Sequence, residues 1–325
     1  MKVNQFDIII VGGGPIGIAC ALECKKRGWS YVVIEKGALT NSLFNYPKNM
    51  TFFSTSEKLE IDDIPFISNN PKPNRDEALE YYRRVTTSNQ LNMHLFETVL
   101  AIEKTKPNEF SIKTDKSTYF SKYTIVCTGF YDIPKMLDIP GENLKKVTHY
   151  YKEAHQYALQ DVLVVGASNS AVDAALEIWR KGGRVTMVIR GESIGERVKY
   201  WVRPDIINRI EEGSITAYFN AFIKEIKEQE VVIDTVNEEI IIPNDFVIAL
   251  TGYLPNFKLL ESSGIKLSKD GKNRPYYDAE TMVSNVEGLY LAGVVCGGNE
   301  THKWFIENSR VHARRIAKHL ETLSI

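Results

Sequence analysis

Cysteine is scarce, with four in 325 residues, so no disulfide scaffold holds this chain, and Cys20 and Cys24 lack the spacing of a metal clip. An excess of either charge is also missing. Lys plus Arg number 40 against 41 Asp plus Glu, a formal net charge of −1, which excludes a strongly basic nucleic-acid binder and an acidic tail protein. Long apolar runs are absent too: nothing approaches the ~18 residues of a membrane span. The run nearest the start, Ile8 to Val11, follows Asp7 and ends in glycines, so no signal peptide is expected. What remains is ordinary globular composition, 43% hydrophobic and 25% charged. A cytoplasmic protein is expected, of two domains, without nucleic-acid, membrane or metal partners.

The first informative segment is Phe6-Asp-Ile-Ile-Ile-Val11, a short β-branched run of the kind that forms a buried parallel strand. It leads into Gly12-Gly13-Gly14-Pro15-Ile16-Gly17 and then a helical stretch to about Gly28. The pattern G-x-G-x-x-G falls on Gly12, Gly14 and Gly17. Gly12 makes the tight turn, Gly14 lets a pyrophosphate approach the backbone, and Gly17 lets the helix pack on the strand. The helix start offers unpaired N–H groups and a positive dipole end to an anion. A second strand, Tyr31-Val-Val-Ile-Glu35, ends in an acid 21 residues after Gly14, where a carboxylate meets a ribose hydroxyl.

The device recurs at Asp161-Val-Leu-Val-Val-Gly166-Ala-Ser-Asn-Ser-Ala171, followed by a helix through Arg180 and a strand, Arg184 to Arg190. Here Ser168 and Ala171 replace the second and third glycines. Gly12 to Glu35 spans 23 positions and Gly166 to Arg190 spans 24. An acid at the second strand end suits a bare ribose, whereas an Arg suits a 2′-phosphate through its paired donors. The first unit therefore reads as an FAD or NAD site and the second as an NADP site. Thr124-Ile-Val-Cys-Thr-Gly129 and Phe246-Val-Ile-Ala-Leu-Thr-Gly252 are matching strands, Gly288 to Gly293 is another, and a basic amphipathic helix at about Lys303 to Leu320 closes the chain. Between the two units lie a loop over Asn41 to Asn74, a helix over Arg75 to Asn89, and strands over Leu95 to Lys104 and Phe110 to Thr114. The expected architecture is α/β: two Rossmann-like, three-layer dinucleotide-binding domains. The second (131–252) is inserted into the first (1–130 and 253–325).

These motifs, with Leu289-Tyr-Leu-Ala-Gly293, resemble the thioredoxin-reductase-like flavoproteins. Over essentially the full length the chain resembles the bacillithiol disulfide reductase family within them, through Asn45 to Ser54, Tyr81-Tyr-Arg83, His149 to Ala154, Trp201 to Pro204 and Phe305-Ile-Glu-Asn308. The resemblance implies FAD in the outer domain and NADPH in the inserted one. It implies that Gly12, Gly14, Pro15 and Gly17 approach the FAD pyrophosphate, that Glu35 and Lys36 serve the ribose end, and that Val99 lies by the adenine. Thr128, Gly129, Gly293 and Val294 would line the cofactor, and Gly166, Ser168, Asn169, Ser170 and Arg190 would bind NADPH. It also implies a homo-oligomer.

The chain departs from these relatives in three ways. It lacks the Cys-x-x-Cys pair of thioredoxin reductases proper. Val294 stands where the superfamily often has Asp, leaving backbone donors only. Ile16 stands where bacillithiol disulfide reductases commonly have the cysteine used in disulfide exchange. Cys127 and Cys296 could lie near the flavin, but a buried free cysteine is usually an apolar filler. Cys20 and Cys24 read as core, and His302 as a surface residue. The expected activity is hydride transfer from NADPH to FAD, then electron delivery to a low-molecular-weight disulfide such as bacillithiol disulfide. The alternatives are a ferredoxin- or flavodoxin-type NADP reductase serving a small electron-carrier protein, a flavin monooxygenase, and a redox-sensing flavoprotein without turnover. The start of the closing helix is the expected stabiliser of negative charge on the flavin.

Overall fold

A computed structural model describes residues 4–323 and 325. The chain divides into two compact units. One runs to Tyr46 and resumes over Met50–Ile133 and Tyr253–Ile325; the other comprises Pro47–Asn49 and Pro134–Gly252.

The first unit is built on the strand Gln5–Val11, whose last four residues are buried on both faces, which is why the run Ile8–Val11 shows no polar alternation. It pairs in parallel with Tyr31–Ile34 on one side and Thr118–Val126 on the other. Met93–His94 extends the sheet beyond Tyr31–Ile34. The strand Thr118–Val126 does two jobs. Its first half pairs antiparallel with Glu109–Thr114, which in turn pairs with Val99–Lys106. Its second half takes Leu289–Leu291 as a parallel neighbour. Helix Pro15–Lys26 covers the sheet and packs against the last helix, Val311–Thr322, whose Ala313, Ile316, Ala317 and Leu320 are buried. Helix Arg75–Ser88 starts with a capping box: Glu77 N–H donates to the Asn74 side chain, and the Glu77 carboxylate accepts from Asn74 N–H, both at 2.9 Å.

The second unit has three layers. Its parallel sheet runs in the order Thr216–Phe219, Arg184–Ile189, Asp161–Val165, Phe246–Ala249, Val147–Thr148. Alternate residues of the central strand face opposite ways. Val162 and Val164 pack with the helices Asn169–Arg180 and Arg203–Glu211. Leu163 and Val165 pack with a three-stranded antiparallel sheet, Phe222–Ile226, Glu230–Asp234 and Glu239–Pro243.

Several elements differ from the sequence reading. The strand expected from Leu95 begins at Val99, because Phe96 sits at φ +54°, a left-handed conformation no strand accommodates. The loop over 41–74 holds two single-turn helices, Asn41–Phe44 and Ser56–Leu59. The closing helix is broken at Arg310 into Ile306–Ser309 and Val311–Thr322. Among the described residues no helix is long and apolar enough to cross a membrane, and no group of three or more His, Cys, Asp or Glu is placed to hold a metal.

Candidate functional site

The first glycine turn is held by contacts that admit no side chain at two of its three motif positions. Gly12 lies at φ +110°, and an ideal Cβ there would stand 2.5 Å from the carbonyl oxygen of Cys127. A Cβ on Gly17 would stand 1.9 Å from the oxygen of Gly12, so glycine here sets how closely the helix approaches the strand. Gly14 differs. A Cβ on it would meet no protein atom within 4 Å, so its bareness serves nothing inside the protein. It faces a cavity of about 260 Å³ and caps helix Pro15–Lys26 with no side-chain hydrogen bond, leaving the N–H groups after Pro15 directed outward.

Of the residues the sequence assigned to the first nucleotide, Gly12, Gly14, Pro15, Glu35, Lys36, Val99, Thr128, Gly129, Gly293 and Val294 all line this cavity. Gly17 stands behind its wall, as a packing residue. Glu35 is buried and accepts the N–H of Gly13 at 2.6 Å and of Gly37 at 3.0 Å, one on each carboxylate oxygen. Burial raises its carboxyl above the usual range, against the pull of these two N–H donors. A carboxylate has about four lone-pair sites, so two remain for hydroxyls of a ribose. Lys36 pairs with Asp132 at 2.8 Å, and both stand in the cavity wall. The Thr128 hydroxyl is buried with no partner among the described residues, a polar atom in want of a ligand at the cavity. Together, an open helix start, an acid with spare lone pairs and an orphaned hydroxyl fit a dinucleotide with an unphosphorylated ribose.

The sequence missed Tyr46, Tyr131, Ile306 and Ser309, which complete the cavity wall. Tyr46 and Tyr131 meet edge to face at 4.7 Å. Tyr46 lies in the segment Asn45 to Ser54 that carried the resemblance, and Tyr131 just after the Thr128-Gly129 strand ending, but neither was assigned to the site. His302 is exposed and lies outside the cavity lining. Cys127 is in the wall and Cys296 in the core; the thiol of Cys20 meets that of Cys127. All four cysteines are free and buried, and burial pushes the thiol of Cys296 well up.

The second unit repeats the turn with looser tolerances. Gly166, at φ +127°, is pinned as Gly12 is: a Cβ there would stand 2.7 Å from the oxygen of Leu250, the residue before Thr251-Gly252, as Cys127 precedes Thr128-Gly129. Ser168 caps helix Asn169–Arg180 in extended conformation without a side-chain cap, and Ser168 and Ser170 are exposed. Asn169 has both ends of its amide engaged by the following loop, accepting from Lys199 N–H at 2.8 Å and donating to the Arg197 carbonyl at 3.2 Å. Lys199 is itself buried against Asp173 at 2.7 Å. Arg190 stands exposed just past its strand.

Residues 9–293 match the model of a protein family described as pyridine nucleotide-disulphide oxidoreductase. The chain is 45% identical over 314 residues to bacilliredoxin reductase Bdr of Bacillus subtilis, covering 96% of this chain and 97% of that protein. Among solved structures, bacillithiol disulfide reductase Bdr of Staphylococcus aureus superposes with a TM-score of 0.96 at 39% identity, over 99% of both chains. The corresponding Bacillus cereus enzyme superposes with a TM-score of 0.95 at 41% identity, over 98% of this chain and 99% of that one.

Proposed function

Because the chain belongs to the pyridine nucleotide-disulphide oxidoreductase family, we propose that it is an NADPH-dependent FAD reductase acting on a low-molecular-weight disulfide, bacillithiol disulfide first among them. The observation that carries this reading is a pair of strand ends of opposite charge: Glu35, buried and fixed by two N–H groups, and Arg190, exposed just past its strand. FAD held by these residues would supply the two-electron redox chemistry that links NADPH to the acceptor. The chain's own part is positional. The start of helix Pro15–Lys26 receives a pyrophosphate, Glu35 orients a ribose, and Thr128 offers its unpaired hydroxyl. Arg190 and the start of helix Asn169–Arg180 select a phosphorylated dinucleotide as the hydride donor.

The acceptor step does not draw on Cys20, Cys24 or Cys296, which leaves Cys127 as the cysteine in the cavity wall to test. Ile16 occupies the turn, and the buried Cys20, Cys24 and Cys296 carry thiols pushed up in pKa, away from the reactive thiolate form. Ile16 also favours a second reading, delivery to a small electron-carrier protein, as in a ferredoxin- or flavodoxin-type NADP reductase. The resemblance carries a homo-oligomeric, cytoplasmic state with it, which gel filtration coupled to light scattering checks for the oligomer.

The test is anaerobic NADPH titration of the flavin-loaded protein, followed by stopped-flow reoxidation with each acceptor. Reoxidation by bacillithiol disulfide supports the first reading and by a carrier protein alone the second; failure of NADPH to bleach the flavin overturns both. A Cys127→Ser, Cys296→Ser double variant is expected to keep its turnover, and loss of it would restore a cysteine to the mechanism.

A further inference from the structure

His312 lies on the last helix, fully buried, and its Nδ1 accepts the N–H of Gly293 at 3.1 Å. Gly293 is the hinge where the strand Leu289–Leu291 turns into the cavity wall: it sits at φ +85° and caps the 3₁₀ turn Val294–Gly297. Both Gly293 and Val294 face the cavity. By the geometry of a helical start, the turn's first N–H groups, at Val294 and Val295, have no partner within it. The Val294 N–H belongs to the peptide that follows Gly293.

The cost of having histidine here identifies its purpose. With Nδ1 accepting, the proton of the neutral ring is on Nε2, and Nε2 is buried with no hydrogen-bond partner among the described residues. A leucine would fill similar space beside Trp304, whose ring meets His312 edge to face at 4.6 Å, without burying an unpaired N–H. The histidine is justified only by its other nitrogen. Burial, with Arg315 nearby, lowers its pKa to about 4, so Nδ1 stays an acceptor through the neutral range.

We propose that His312 is a positioning residue for the cofactor: its Nδ1 fixes the Gly293 N–H and thereby holds the Gly293–Val294 wall, with the Val294 backbone donor, toward the cavity, where the superfamily often uses an acidic side chain after the Ala-Gly ending. The proposal rests on the FAD reading of the cavity. Three proteins test it: the parent, His312→Leu and His312→Asn, in which the amide oxygen stands near the place of Nδ1. Each is purified without flavin and titrated with FAD, following flavin fluorescence, the absorption bands and the midpoint potential. His312→Leu is expected to weaken FAD binding about tenfold, the effect of orphaning one buried N–H, and to shift the potential and bands. His312→Asn is expected to restore both. If His312→Leu binds FAD with the parent's affinity and potential, or if His312→Asn fails as badly as His312→Leu, the ring only packs and the proposal is wrong. If His312→Leu does not fold, the Asn variant decides alone by keeping or losing the parent's flavin spectrum. A parent that takes no FAD refutes the reading of the cavity itself.

Discussion

The two glycine turns are built to one plan and to different tolerances. In both, the first glycine abuts the carbonyl of the residue preceding a Thr-Gly strand ending, Cys127 in one and Leu250 in the other. In the first, Gly17 is pressed on the oxygen of Gly12 and Glu35 is buried under two N–H bonds. In the second, Ala171 fits where Gly17 stands, Ser168 where Gly14 stands, and the strand ends in an exposed Arg190. Tight packing and a buried acid suit a ligand kept for the life of the protein. A side chain at each relaxed position and an exposed cation suit one that arrives and leaves every cycle.

The contrast can be broken most forcefully at the third glycine. Gly17→Ala forces a Cβ onto backbone 1.9 Å away and is expected to destabilise by about 3 kcal/mol and strip the flavin, read as a lowered melting temperature and a colourless product. Ala171→Gly is expected to cost only about 1 kcal/mol, the ordinary helix penalty for glycine, and leave NADPH affinity near the parent's. If the two losses prove equal, the difference in tolerance is illusory. Next come the strand ends. Arg190→Ala is expected to raise the NADPH KM about thirtyfold while leaving the NADH KM unchanged, since only the former has a 2′-phosphate to lose; equal effects would remove Arg190 from recognition. Glu35→Gln replaces one of the two acceptor oxygens with an NH2 donor facing a backbone N–H, and is expected to weaken FAD binding about tenfold in equilibrium titration.

A pH measurement sharpens the same point. The Glu35 carboxyl is raised by burial in the folded flavin-free protein, so the folded state holds its proton more tightly than the unfolded one. The associated stability is full below the ordinary glutamate pKa and is lost as pH rises through the raised value. Denaturant titrations of flavin-free protein should show that decline, and Glu35→Gln should flatten it. The smallest expected effect is at Asn169, whose amide ties down the loop over 191–199: Asn169→Ala should raise the NADPH KM a few-fold with kcat unchanged.

Much of this was legible because sterics write themselves in single letters. Gly12 and Gly17 admit nothing else, and the acid and base at the two strand ends need only the right distance from the turn. The four-residue apolar runs of Ile8–Val11 and Val162–Val165 declared strands buried on both faces. Other features left no such mark. The strand Thr118–Val126 extends six residues earlier than its apolar portion, because its first half alternates exposed and buried residues within the antiparallel meander. The small sheet over 222–243 also went unread, although its middle strand carries the buried apolar run Val231–Ile233. Asn169 is a reminder that motif position does not fix duty, since its amide is occupied by a loop rather than held open. His312 could not be read at all: its partner lies 19 residues back, and nothing in Val311-His312-Ala313 distinguishes it from helix filling.

The strand Leu289–Leu291 pairs with Thr118–Val126 across a gap in the chain that contains the whole of the Pro134–Gly252 segment. During synthesis that inserted segment leaves the ribosome complete while its host still lacks a sheet neighbour, Gly293 and the terminal helix. The nascent host must therefore wait with one flank of its sheet uncovered until these later elements emerge, an interval in which its folding is sensitive to chaperone supply.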